Sequence, residues 1–306
     1  MAPEIANSEV MPSSYKTWNT HVHVFDHQIR PFKSTRVYTP CPISIQEVVK
    51  SSNCNNFVLV QASFEDGMDG ILSETQRARD MFPDREFRAE VFWDKEKDKY
   101  RDLDTLHEMG VRCLRLHGEF GNGDDSLNLT LEALQHLCGI ASSHDWAVAA
   151  QLPIATWIQL VPKLGLTDAA VENNIASSRS VIIAEHFGSP APLPHTADQA
   201  KEFEVFLDYL SHSSRFFVKL SALHRRIKSD ASITDMVPVI SKLAIRAPNA
   251  LLYGSDFPHV DVKTQSLEPT AHLEVDGRQE FSVLQSAVSP SVLHSMLMAN
   301  AERIFK

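Results

Sequence analysis

The chain has 306 residues, of which 43% are hydrophobic and 22% charged, a composition typical of a globular protein with a large core. Its formal net charge of −10, without any basic stretch, argues against nucleic acid as a partner. No apolar run approaches the roughly 20 residues of a membrane helix. Residues 1–14 lack the pattern of a secretory signal and are expected to form a loose tail, so we expect a cytoplasmic protein without a membrane partner.

Eight short apolar segments are typical of buried strands. They cover residues 17–25, 57–63, 86–92, 112–117, 146–152, 180–186, 215–223 and 250–256. Their starts are roughly 25 to 40 residues apart, as expected for parallel strands joined by crossover helices. Helical spacing of apolar residues predicts such helices over residues 70–82, 129–144, 197–210 and 233–245, with a closing helix over 289–305.

Eight βα units in one chain predict an α/β fold, specifically a closed (β/α)8 TIM barrel formed as a single domain by residues 1–306. An open doubly wound sheet is the alternative. That fold usually carries a phosphate-binding loop, and neither GxGxxG nor GxxxxGK[ST] occurs in this chain of only 11 glycines. The barrel is therefore the favoured prediction, with residues 258–276 as a long loop over one mouth.

Polar side chains occupy the last inward position of most predicted strands, where the active sites of such barrels are built. Alternation along the strands selects His21, His23, Gln61, Arg115, His117, Gln151, His186, Lys219, Ser221 and Asp256. Burying a polar group costs free energy unless it has partners. A ring of such groups at one mouth therefore predicts a functional site.

Two motifs carry most of the expected chemistry, namely His21 and His23 in an HxH pair and Asp256 after an apolar run. An HxH pair on one strand face can bind one metal ion or one oxyanion. Structural alternatives exist, because Asp256 could cap a following segment and His186 could be a loop histidine bonded to the backbone. Arg115 and His117 could likewise belong to a structural ion-pair network. The GxSxG and HExxH motifs of other hydrolases are absent.

Six segments together resemble the amidohydrolase superfamily, and within it the 2-pyrone-4,6-dicarboxylate lactonase-like branch. They are Thr20-His21-Val22-His23-Val24-Phe25, Val60-Gln61-Ala62-Ser63, Val111-Arg112-Cys113-Leu114-Arg115, Glu185-His186-Phe187-Gly188, Val218-Lys219-Leu220-Ser221 and Tyr253-Gly254-Ser255-Asp256-Phe257-Pro258-His259. The resemblance implies a TIM barrel of amidohydrolase type that hydrolyses a cyclic ester or a similar carbonyl compound.

The resemblance also bears on metal binding. Metal-bearing relatives hold a divalent ion with the HxH pair, a histidine on strand five and the aspartate on strand eight. Here strand five ends in Gln151, so the resemblance favours a metal-independent enzyme without a cofactor. The alternative is one zinc or manganese ion held by His21, His23, His186 and Asp256.

The expected mechanism assigns Asp256 as the general base on a water molecule, with His21, His23 and His186 stabilising the oxyanion. A small carboxylated or aromatic substrate is the expected partner. The residues predicted to bind it are Gln61, Arg115, His117, Gln151, Lys219, Ser221, Arg225 and His259.

Two other functions fit the same motifs. The superfamily also contains metal-dependent decarboxylases of aromatic or muconate-type acids, which metal analysis would distinguish. A barrel that binds a small acid or a partner without catalysis is the second alternative. Such a protein has no physical need for a circle of buried polar side chains, whose burial costs free energy. The sequence predicts neither the substrate nor the oligomeric state.

Overall fold

The computed structural model describes residues 16–26, 30–117, 124–167, 180–190 and 193–306. Eight parallel strands follow one another around a single sheet. They are β1 Trp18–Val22, β2 Asn56–Val60, β3 Phe87–Phe92, β4 Val111–His117, β5 Ala147–Gln151, β6 Ile182–Ala184, β7 Phe216–Leu220 and β8 Leu251–Tyr253. The predicted barrel is confirmed, while the predicted tail, residues 1–14, lies outside the described residues.

Helices surround the strands. They are α1 Ile45–Ser51, α2 Asp69–Met81, α3 Leu103–Glu108, α4 Asp124–Ala141, α5 Ile154–Lys163, α6 Ala197–Ser211, α7 Val237–Arg246, α8 Gly277–Ala287, α9 Pro290–His294 and α10 Asn300–Phe305, with a π-helical turn, Ser295–Ala299, between the last two. Among the described residues, no helix is both long and apolar enough to span a membrane. The predicted mouth loop contains one short strand, Pro269–Thr270, paired with Thr39–Pro40.

The hydrophobic core has two layers. The outer layer lies between strands and helices. The inner layer fills the barrel with Trp18, Val58, Val60, Cys113, Ala147, Ala149, Ile183, Phe217 and Leu252, and Ala301, Ile304 and Phe305 of α10 pack against it. The rings of Trp18 and Phe305 are 6.2 Å apart. Because apolar side chains fill the N-terminal end, a polar site has room only at the C-terminal mouth.

The loop after β8 closes the barrel against β1. The Asp256 backbone N–H donates to the carbonyl of His21 at 2.9 Å, and the His23 N–H donates to the carbonyl of Phe257 at 2.8 Å. These bonds place the HxH pair and the aspartate of the last motif next to each other, as the sequence predicts.

A bulge in β1 decides which way the HxH pair points. From Asn19 to Val22 the strand advances by three residues, whereas the paired stretch of β2 advances by two. The extra residue reverses the alternation, so Trp18 lies in the inner core, Val22 lies in the outer core, and His21 points inward. The two histidines therefore reach the interior because β1 contains one additional residue.

Candidate active site

A cavity of about 390 Å³, here named the mouth cavity, opens at the C-terminal end of the barrel. Seven of the predicted site residues line it, namely His23, Arg115, His117, Gln151, His186, Arg225 and Asp256. Apolar side chains such as Phe25, Phe64 and Val260 complete the wall. This mixture of convergent polar groups and apolar surface is typical of a small-molecule site.

Asp256 lies among three imidazoles. Its Oδ1 is 3.4 Å from Nε2 of His21 and 3.6 Å from Nε2 of His23. The ring of His186 is 4.8 Å from that of His21. One ligand atom each from His21, His186 and Asp256 lies within 4.8 Å of the others. The four residues predicted to carry the chemistry therefore share one small region.

Asp256 is held as a carboxylate. Burial alone would raise its pKa, but His186, His23 and His21 together hold the pKa well below its usual value. Its backbone adopts the left-handed conformation, with φ of 60°. Aspartate is among the few residues other than glycine that tolerate this conformation.

A hydrogen bond determines the tautomer of His23. Its Nδ1 is 2.8 Å from the carbonyl oxygen of Val60, which can only accept a hydrogen bond, so in the neutral ring the Nε2 lone pair faces Asp256. Nδ1 of His21 lies between an acceptor and a donor, at 3.1 Å from Oε1 of Glu185 and 3.4 Å from Nζ of Lys219. Nε2 of His21 is buried and has no hydrogen-bond partner among the described residues.

His186 reaches the site through a backbone turn. It follows β6 with a left-handed φ of 49°. Its Nδ1 is 2.8 Å from the hydroxyl of Ser221, and burial lowers its pKa to about 4. Ser221, predicted to bind substrate, is fully buried and orients this imidazole instead. The alternative of a loop histidine bonded only to backbone does not fit this contact.

A group of four buried residues, named here the buried charge cluster, lies next to the histidines and consists of Glu90, Arg115, Glu185 and Lys219. Oε2 of Glu185 accepts hydrogen bonds from Nε and Nη2 of Arg115 at 3.0 and 2.9 Å. Oε2 of Glu90 accepts one from Nζ of Lys219 at 2.5 Å. The same Nζ is 3.5 Å from Oε1 of Glu185. The two cations are therefore matched by two carboxylates.

The pKa values in the cluster follow from burial and pairing. Burial raises the pKa of Glu90 to about 7. Burial also opposes ionisation of Glu185, but Arg115, His21 and Lys219 hold its pKa well below the usual value. Lys219 has no exposed side-chain surface and does not line the mouth cavity, a placement that does not support its predicted contact with substrate. Arg115 does line the cavity, yet the structural ion-pair alternative describes it better.

Gln61 is likewise a structural residue in this fold. Its side-chain amide donates to the carbonyl of Gly67 at 2.6 Å, and its carbonyl accepts from the N–H of Phe92 at 2.9 Å. These bonds tie the loop after β2 to the end of β3. The side chain is buried, which does not support the predicted contact with substrate.

Sequence reasoning missed Glu90 and Glu185 as members of this site. Alternation along strand six selects His186 as the inward residue, but Ile183 belongs to the inner core. By alternation, Glu185 is then the inward residue. An acidic residue within an apolar strand segment was the available signal, because such a residue needs a buried partner.

Tyr38, from the loop after β1, also lines the mouth cavity and was not predicted. Burial raises the pKa of its phenol, which therefore remains a hydrogen-bond donor at neutral pH. It lies in an irregular segment, where strand alternation gives no information on which way a side chain points.

His259 lies outside the mouth cavity and lines a second cavity of about 250 Å³, the rear cavity, with Phe257. Its ring is 4.6 Å from that of His224. This placement does not support the predicted contact of His259 with substrate.

The burial of His259 predicts a pH effect on stability. Burial lowers its pKa from 6.5 to about 4, so the unfolded chain binds the proton more readily between these values. We expect the stabilisation to be complete above pH 6.5 and to be lost as the pH falls toward 4. Melting temperatures measured from pH 4 to 7 should therefore fall less steeply on acidification for His259→Gln than for the wild type. The exposed His212→Gln is the control, and equal slopes for all three proteins would contradict the assignment.

The residues around Asp256 also fit a metal ion. His21, His186 and Asp256 present close ligand atoms, and Nε2 of His23 faces the same carboxylate. The Nδ1 contacts of the histidines are of the kind that orient metal-binding imidazoles. His21, Glu90 and Glu185 form a second group of close potential ligand atoms. The positively charged Nζ of Lys219 already contacts all three residues, so this group does not fit a metal ion.

Comparison with known proteins agrees with the geometry. The sequence model of the family described as Amidohydrolase matches residues 73–306. A 4-sulfomuconolactone hydrolase of Rhizobium radiobacter is 25% identical, over 94% of this chain and 89% of its own length. The enzyme of the same name from Hydrogenophaga intermedia is also 25% identical, over 97% of this chain and 90% of its own.

Solved structures show the same fold. A probable 2-pyrone-4,6-dicarboxylic acid hydrolase of Acinetobacter baumannii superimposes with a TM-score of 0.67 at 20% identity, covering 95% of this chain and 99% of that one. An amidohydrolase of Burkholderia multivorans gives 0.68 at 13% identity, with the same coverage. The fold, the convergent HxH and aspartate motifs and the match over residues 73–306 agree with the predicted resemblance, and the chain belongs to the amidohydrolase family.

Proposed function

We propose that the protein hydrolyses a lactone bearing an acid group, with Asp256 as the general base. The observation that carries this proposal is the ionised Asp256 carboxylate, which lines the mouth cavity and is surrounded by three imidazoles. The named relatives that cover most of this chain are lactone hydrolases, which supports an ester rather than an amide as the substrate.

The proposed reaction needs one proton transfer in each direction. Asp256 accepts a proton from water as the water oxygen attacks the lactone carbonyl carbon. The ring C–O bond then breaks, and the leaving oxygen receives the proton, so that a hydroxy acid or its keto tautomer is released. A carboxylate with a depressed pKa is a weak base, so the water or the carbonyl needs additional activation.

The imidazoles indicate where that activation comes from. With Nδ1 of His23 donating to the Val60 carbonyl, Nε2 of the neutral ring is an acceptor that faces the Asp256 carboxylate and cannot donate to an oxyanion. One ligand atom each from His21, His186 and Asp256 lies within 4.8 Å of the others, so a cation at this point would contact all of these groups. This favours the alternative ligand set, and we propose one zinc or manganese ion held by His21, His23, His186 and Asp256. Such an ion would polarise the carbonyl and lower the pKa of water.

Metal content tests this part of the proposal. We expect about one equivalent of zinc or manganese per chain in elemental analysis of the purified protein, since three imidazoles and a carboxylate can hold such an ion while a fifth position admits water or substrate. Activity should fall on dialysis against a chelator and return when the metal is added. A fully active protein without metal would instead support the metal-independent mechanism, with a protonated imidazole as the cation.

Arg225 is the proposed binding group for the acid of the substrate. Its Nε is 3.6 Å from Oδ2 of Asp256, and its Nη2 donates to the carbonyl of Val260 at 2.9 Å. Its side chain is 24% exposed and lines the mouth cavity, in contrast to Arg115, which is engaged with buried carboxylates. A substrate acid near Arg225 would lie next to the reacting carbonyl.

Substitution of Arg225 tests that role. We expect Arg225→Met to raise KM for an acid-bearing lactone by about 10- to 100-fold, the usual loss for a charged hydrogen bond. Uncharged lactones should be affected much less, and Arg225→Lys should restore part of the binding. An equal loss for charged and uncharged lactones would contradict the assignment.

The assay also distinguishes the lyase alternative. Ring opening consumes one water and releases no gas, whereas a decarboxylase releases carbon dioxide from an acid. Carbon dioxide release without a ring-opened product would replace hydrolysis by decarboxylation as the function of the same residues. A cytoplasmic location and the absence of a nucleic-acid partner stay predictions from the sequence.

A further inference from the structure

A larger cavity of about 590 Å³, here named the side cavity, adjoins the mouth cavity. The two share Ser63, Arg115 and His117 as lining residues. A molecule whose reacting carbonyl is near Asp256 could therefore extend past these three residues. None of the functions proposed above uses this space.

The floor of the side cavity is apolar, formed by side chains of Phe92, Trp93, Leu116 and Leu137. Leu129, also in its wall, is 53% exposed although it is a large hydrophobic residue. A single exposed leucine is common on protein surfaces, but an apolar surface shared with the other lining residues is typical of a binding site. The lining also contains four exposed polar residues, namely Lys33, Lys95, Glu132 and His136. Nζ of Lys33 donates to the carbonyl of Ser63 at 2.8 Å.

The wall between the cavities does not favour a second acid group. Of the three residues that the two cavities share, Arg115 carries a permanent positive charge, and this charge is matched by Glu185 and by Glu90, whose Oε1 is 3.4 Å from Nε of Arg115. Its guanidinium also lies over the ring of Phe92, at 5.5 Å from the centroid. A flat or aliphatic group passing this wall would keep contact with apolar surface.

We propose that the side cavity binds an apolar substituent, aromatic or aliphatic, on the lactone ring. This proposal rests on the proposed function, because it places the ring in the mouth cavity. The substrate is then a lactone with one acid group near Arg225 and an apolar group directed toward α4. This differs from the dicarboxylic substrate in the name of the Acinetobacter baumannii protein, which carries two acid groups.

The test compares pairs of ring compounds that differ only in the apolar group. The probes are 2-pyrones with one carboxylate and either hydrogen or phenyl at each open ring position, for turnover. The corresponding 2-pyridones, in which a ring amide replaces the ester, serve for binding by calorimetry. For at least one isomer, we expect phenyl to raise kcat/KM of the pyrone and to lower Kd of the pyridone, each by about tenfold or more, since the phenyl group buries apolar surface.

Variants of α4 locate the effect. Ala133 lines the side cavity, and Ala133→Phe should fill it and abolish the phenyl advantage, leaving the unsubstituted probe within about twofold of wild type. Leu129→Asp, at an exposed position, should reduce the advantage without a risk to folding. Gln135→Phe, on the same helix but outside the cavity lining, is the matched control and should behave as wild type.

Two outcomes would overturn the inference. One is the absence of any phenyl advantage in pyridone binding. The other is an advantage that Ala133→Phe and Leu129→Asp leave unchanged. Failure of the proposed function has a different signature, since no pyrone would then be opened while pyridone binding still reports on the side cavity.

Discussion

Asp256→Asn should lower kcat by about 10²- to 10⁴-fold, the usual contribution of a general base. The amide has nearly the same shape as the carboxylate but cannot accept the proton of water. Asparagine also tolerates the left-handed backbone of this position, so the variant avoids the strain that an alanine would add. Most of the loss should therefore appear in kcat rather than in the folded fraction.

The measurement is steady-state hydrolysis of an acid-bearing lactone, together with a thermal unfolding curve for each protein. Asp80→Asn is the matched control, because Asp80 is exposed on α2 and accepts a side-chain hydrogen bond from Gln76 of the same helix. Turnover by Asp256→Asn within tenfold of wild type would remove Asp256 from the role of base. Loss of the bound metal in the same variant would identify the residue as a ligand as well.

Lys219→Met should destabilise the protein by about 3 to 5 kcal/mol, because it leaves buried carboxylates without one of their cations. Neither Lys219 nor Glu90 has exposed side-chain surface, so water cannot replace the lost partner. An exposed pair serves as the control: Nζ of Lys201 is 3.3 Å from Oδ1 of Asp198. Lys201→Met should lower the free energy of unfolding by less than about 1 kcal/mol.

The double variant separates charge from packing. Glu90→Gln combined with Lys219→Met removes both members of the pair, so it should be more stable than Lys219→Met alone. Urea unfolding of the wild type, Lys219→Met, Lys201→Met and the double variant measures the differences in stability, provided that the m-values agree. A cost below about 1 kcal/mol for Lys219→Met would contradict the ion pair. Equal stabilities of the single and double variants would show that the effect is lost packing.

Much of the fold follows from local pattern. Most strands are short apolar runs, because burial on both faces of a parallel strand requires such runs, and each strand lies within or overlaps a predicted segment. His21, His23, His186 and Asp256 were also identifiable, since they lie within three residues of strand ends and the C-terminal ends of barrel strands meet at one mouth.

Pairing between strands could not be read in the same way. The sequence predicts that Arg115 and Lys219 point inward, and they do, but it assigned both to the substrate. Lys219 of β7 pairs with Glu90 of β3, which is 129 residues away in the sequence. Arg115 of β4 pairs with Glu185, which follows β6 and is 70 residues away. Which side chains meet inside a barrel depends on register and tilt, and neither is encoded in the alternation of a single strand.

The sequence by itself determined the order of the elements, the family and the identity of the reactive side chains. Only the tertiary structure decided their state: a bulge directs His21 inward, the Val60 carbonyl sets the tautomer of His23, and Glu90 and Glu185 neutralise Arg115. The physical reason is that a proton or a charge responds to atoms within a few ångströms in space, and these atoms come from strands far apart in the chain.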